Sequence, residues 1–143
     1  MQGYKPRSRA PSMAKYVIDP GVGLRIAEEN LEIGADHELL APTLFRSQVM
    51  SILHEQTIQG QISDEDARER LERVWKLEVR LLGDAVLRRT AWSFATQLGI
   101  PQTYDAEYFA LTQLQGDAFI TLNNDLARYA SQVVRVASFD DLR

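Results

Sequence analysis

Short runs of β-branched and aromatic residues alternate along the chain with longer stretches in which apolar residues recur every three or four positions. Lys15-Tyr16-Val17-Ile18 is the first such run, a buried strand with no wet face, closed by Asp19 and Pro20-Gly21. Val22 to Asn30 predicts a short helix, with Leu24 and Ala27, or Ala27 and Leu31, as its apolar pair. After the break at Gly34-Ala35-Asp36, His37 to Ala41 predicts a second strand ended by Pro42. Thr43 to Gln59 reads as the strongest helix so far, with Gly60 past its end. Its apolar face runs through Leu44, Phe45, Val49, Ile52 and Leu53, and Gln48 lies beside it.

Ser63 opens a further helix whose first turn holds Asp64, Glu65 and Asp66, where acids suit the helix dipole. Glu69 with Arg73 and Glu72 with Lys76 are spaced to pair on its surface, so this charge run is a solvated face without chemistry. Ile62, Leu71, Val74, Trp75 and Leu77 mark its buried side. Arg80 to Leu82 predicts a brief third strand, and Asp84 to Leu98 a helix closed by Gly99 and Pro101. Another helix begins at Thr103 with Asp105 in its first turn. Ala118 to Thr121 predicts a buried strand, Leu122 to Ala130 a short helix, and Val133 to Val136 the last strand. Strands alternating with helices predict an α/β domain with a parallel sheet and right-handed crossovers.

A chain of 143 residues is long enough for one such domain, assigned to residues 13–143. Residues 1–12 have no hydrophobic period and are read as an extension, a leader in preference to a basic arm reaching for RNA. The absence of cysteine excludes disulfides and thiolate metal sites, and makes the cytoplasm the expected location. No apolar run reaches membrane-spanning length, so no membrane partner is expected. With only His37 and His54 as imidazoles, any metal would be a hard cation held by oxygen. The net charge is −4; Lys5, Arg7 and Arg9 contribute +3, leaving about −7 on the remainder. That balance disfavours broad nucleic-acid affinity, yet it suits clustered carboxylates whose charge a metal would offset.

Three polar clusters stand where a helix or loop meets a strand end: Asp19, Asp105 and the run Asn123-Asn124-Asp125. Ligands in open α/β sheets bind beyond the carboxyl ends of the strands, which favours a metal or substrate role for Asp19. Capping the next helix or opening a turn is the equal alternative for that residue. Carboxylates converging at one end of a sheet repel one another unless a cation joins them, and Mg²⁺ or Mn²⁺ matches oxygen ligands.

The segments YVIDPGV, LLAPTLFRSQVMSIL, TYDAEYFALTQL and AFITLNNDLAR, in that order and spacing, resemble the PIN-domain ribonucleases, in particular VapC-type toxins of toxin–antitoxin pairs. The resemblance spans nearly everything from Met13 onward and implies a PIN-like three-layer α/β sandwich with a parallel sheet of four or five strands. It also implies a Mg²⁺- or Mn²⁺-dependent endoribonuclease, an RNA substrate, a cognate antitoxin and a homodimer. Such proteins carry four acids, whose positions fall here on Asp19, Gln48, Asp105 and Asn123, so two of the four are amides. An amide contributes no charge and cannot act as a base. Asp19 and Asp105 are thus the expected metal ligands, with Gln48, Asn123 and Thr121 completing the pocket by hydrogen bonds. Asp125 is the candidate replacement for Asn123, while Glu55, roughly 10 Å along the helix from Gln48, is too far to substitute for it. A catalytically silent PIN module that binds RNA or a protein is the alternative. Phe45, Ile52, Trp75 and Leu77, on helices Thr43–Gln59 and Ser63–Val79, are candidate walls of a partner groove, with core filling the favoured alternative for each taken singly.

Overall fold

A computed structural model describes residues 14–143; the extension assigned to residues 1–12 lies outside the described residues. Four short strands form one parallel sheet: β1 (Lys15–Ile18), β2 (Glu38–Pro42), β3 (Val79–Leu82) and β4 (Ala118–Ile120), in the order β3-β2-β1-β4. Val17 pairs with Leu40 on one side and Phe119 on the other, so β1 is an inner strand, as its apolar character requires.

Six α-helices connect and cover the strands: α1 (Pro20–Glu29), α2 (Phe45–Ile58), α3 (Asp64–Trp75), α4 (Ala85–Leu98), α5 (Tyr104–Leu114) and α6 (Asn124–Ser131). Helices α1, α2 and α3 pack on one another as one layer; α5, backed by α4, lies on β1, β2 and β4 as the other. The core is continuous between them. Val17, Ile18, Leu40, Phe109, Phe119 and Ile120 are fully buried, and the rings of Phe109 and Phe119 meet edge to face at 5.5 Å.

Two packing details fix the helices that approach the site. Gly23 of α1 faces the Phe45 ring so closely that an added Cβ would lie 2.7 Å from its Cζ. Phe45 is therefore a core residue rather than a wall of a partner groove. Helix α3 stops at Trp75 instead of reaching Val79: the Leu77 N–H turns back to the Val74 carbonyl, and Val79 already pairs with Leu39. Leu77 consequently lines a separate cavity beside His37 and Arg80, and Trp75 sits under the Arg46 guanidinium. The four residues expected to line one groove are thus dispersed.

The expected strand at Val133–Val136 is reduced to a single bridge between Phe119 and Val136. The N–H groups of Val133 and Val134 both go to the Ala130 carbonyl, which prolongs the turn after α6. Only the Arg135 carbonyl and the Ala137 N–H remain to pair with Phe119, so the sheet has four strands. In α3, Glu69 pairs with Arg73 as its spacing predicts, and Arg68 takes Asp64. No helix among the described residues is long and apolar enough to cross a membrane.

Candidate active site

Parallel strands β1 and β4 end side by side, and the residues that follow them share a cavity of about 870 Å³ at the carboxyl edge of the sheet. Asp19, directly after β1, and Leu122 and Asn123, just after β4, line it from the sheet. Helix α2 contributes Ser47, Gln48, Ser51 and Ile52, and α5 contributes Tyr104, Asp105 and Tyr108. Four of the predicted positions, Asp19, Gln48, Asp105 and Asn123, therefore meet in one concavity.

Asp19 caps α1 and also lines the cavity. Its Oδ1 accepts the Val22 N–H at 3.0 Å, capping α1 at the position before Pro20, and its Oδ2 accepts the Thr121 hydroxyl at 2.5 Å. Only 9% of the residue is exposed. Burial raises its carboxyl above the usual range and the negative charge of Asp105 raises it further, while the Thr121, Val22 and Gly21 donors pull it back. Asp105 keeps contact with the cavity water, but the protein walls around it strip enough hydration to raise its pKa as well. Two carboxylates that each resist ionisation, in one pocket, form a site that a cation would stabilise.

Thr121 is not in the cavity wall but braces two residues that are. Its hydroxyl oxygen also accepts the Asn123 N–H at 3.1 Å, so one side chain ties the end of β4 to the end of β1. Asn123 caps α6 through its Oδ1, which accepts the Leu126 N–H at 3.0 Å. Asp125 is not part of the cavity wall. It lies one residue into α6, on the helix exterior, where Arg128 takes its carboxylate.

Tyr108 is the residue that sequence reasoning missed. Its hydroxyl donates to Gln48 Oε1 at 2.6 Å, and burial, followed by the charges of Asp19, Asp105 and Glu107, pushes its pKa far up. The signal was present, because Tyr104, Asp105 and Tyr108 lie three and four residues apart and share a helix face.

Comparison with solved structures adds the fold's relatives. PAE2754 from Pyrobaculum aerophilum superposes with a TM-score of 0.71 at 18% identity, covering 91% of this chain and 93% of that one. VapBC-1 from nontypeable Haemophilus influenzae superposes with a TM-score of 0.60 at 13% identity, over 88% of this chain and 98% of that one. The fold is PIN-like. No protein-family model matches the chain, and no curated protein sequence matches it.

On this PIN-like frame the carboxylate donors at the cavity are two, Asp19 and Asp105. No group of three or more His, Cys, Asp or Glu side chains suited to a metal exists among the described residues. Asp19 and Asp105 supply oxygen and charge at the same cavity, the Asp19 oxygens already accepting from Val22 and Thr121. Mg²⁺ is satisfied by one or two carboxylates plus water. Gln48 and Asn123 have their carbonyl oxygens committed to Tyr108 and Leu126, which weakens them further as ligands.

Proposed function

We propose that this chain is a PIN-type, metal-dependent endoribonuclease of the VapC kind, working with a single weakly held Mg²⁺ or Mn²⁺. The observation that carries the reading is the meeting of Asp19 and Asp105 in one cavity at the carboxyl edge of the sheet, with Thr121 fixing the Asp19 carboxylate. When bound, the cation would polarise a phosphodiester oxygen and lower the pKa of a coordinated water. The residues do the rest. Thr121 holds the Asp19 rotamer, and Tyr108 holds Gln48 so that its amide N–H₂ is left to donate to a phosphate or a water. Apolar rim residues Leu44, Ile52, Leu122 and Leu126 narrow the approach and suit an extended partner segment, the place for an antitoxin.

A second reading, a silent PIN module that binds RNA or protein without cutting, is favoured by the two-carboxylate limit of the site. Cleavage of single-stranded RNA in Mn²⁺ separates the two. Slow cleavage that is lost in Asp105→Asn and accelerated in Gln48→Glu/Asn123→Asp supports the nuclease. Equal cleavage by the chain and the double variant would mean that Gln48 and Asn123 do not occupy the acid positions.

A further inference from the structure

Trp92 lies on the outer face of α4 with 70% of its surface exposed, on a helix whose inner face is already satisfied by Leu87, Ala91 and Ala95. Arg88 and Arg89 lie one turn before it on the same exposed face. Neither makes an ion pair with any described residue, on a body that carries an excess of acid. Two free guanidinium groups beside an open indole are the combination that grips single-stranded nucleic acid: phosphates take the cations and a base stacks on the ring.

The patch is linked to the candidate site through α5. Only Gly83 and Asp84 separate β3 from α4, so α4 starts at the carboxyl end of its strand, and it packs along α5, which lines the cavity with Tyr104, Asp105 and Tyr108. Burial raises the Glu107 carboxyl and the charge of Arg88 is near enough to offset part of that rise; Glu107 is two residues from Asp105. A second copy of the chain is a poorer occupant, because a two-fold contact centred on this face would bring two clusters of like charge, Arg88 and Arg89 from each side, together.

We infer that Arg88, Arg89 and Trp92 form a platform that binds the flank of a single-stranded RNA whose scissile phosphate lies at Asp19 and Asp105. The inference rests on the nuclease reading for the identity of the site, but its test does not use cleavage. The test is titration of a uridine dodecamer into the chain in EDTA, followed by fluorescence anisotropy at several salt concentrations. Trp92→Ala weakens binding by about tenfold, as expected for loss of one stacked base, and Trp92→Phe recovers most of it. Arg88→Ala/Arg89→Ala weakens binding and flattens the salt dependence by about 1.4 in log–log slope, two single-strand phosphate contacts. Duplex RNA of the same length gains nothing from Trp92. Because all three side chains are exposed, the variants keep the parent's melting temperature. Unchanged affinity in Trp92→Ala overturns the platform, as does failure of the parent chain to bind the dodecamer. So does a dimer that Trp92→Ala converts to a monomer with RNA binding intact. Failure of the nuclease reading shows elsewhere, as loss of metal binding with the EDTA titration unaltered.

Discussion

Asp19 carries two duties that pull its charge in opposite directions. As the cap of α1 it is worth about 1 kcal/mol to the helix, while its burial beside Asp105 penalises the ionised form. Because its folded pKa lies above the ordinary 3.8, this carboxyl favours the fold most in acid and costs stability as pH rises through the folded value. Asp19→Asn keeps an equally good cap and removes the charge. In EDTA at pH 7 the variant should melt higher than the parent, by about 2–4 °C for each kcal/mol relieved, and the gap should close below pH 3.8. Thermal melts across that range check it; a variant that melts lower at pH 7 would show that the ionised form is well tolerated. Thr121→Val should act the other way, removing the donor that favours the Asp19 carboxylate and raising its pKa further, readable as a shift in the Asp19 carboxyl resonance on NMR titration.

Among the elements, the contact between α1 and α2 and the cap of α6 hold the cavity's sides. Gly23→Ala gains roughly 1 kcal/mol of helix propensity but drives a methyl into the buried Phe45 ring. The expected net loss is about 1–2 kcal/mol in urea denaturation, and a gain in stability would mean that the ring has room to move. Asn123→Asp preserves the cap on α6, whereas Asn123→Ala should cost about 1 kcal/mol. Most of these elements were legible in the chain because period and punctuation agreed. The apolar run of β1, Ser63 and Asp84 as caps, and Gly99 as a stop all name their own structure. Val133-Val134 misled for a physical reason: a β-branched run scores as a strand, but α6 ends by drawing their N–H groups into its last turn. Phe45 was legible as a core residue on its own, but not which neighbour it packs on, since that is a glycine twenty-two positions earlier in the chain.

For the whole molecule, a parallel sheet places every strand's carboxyl end on one edge, so residues distant in sequence arrive together. That logic let the sequence bring Asp19, Gln48, Asp105 and Asn123 to one place before any coordinates. It could not place Asp125, because one residue's rotation around α6 decides between the cavity and the exterior, nor reveal Tyr108 as the clamp on Gln48. Exposed Trp92 is likewise invisible to pattern, as an indole on an amphipathic helix reads as core. The same frame explains how the site can accept more charge without refolding. A carboxylate at position 48 would still accept the Tyr108 hydroxyl, and one at 123 would still cap α6.

The central claim is that Asp19 and Asp105 together hold one hard cation, and calorimetric titration of Mn²⁺ into the chain tests it most directly. One weak site per chain is predicted, abolished by Asp19→Asn and by Asp105→Asn and tightened at least tenfold in Gln48→Glu/Asn123→Asp, where each added carboxylate joins a partly buried shell. Binding that survives either single Asp→Asn change, or that the double variant leaves no tighter, would contradict it.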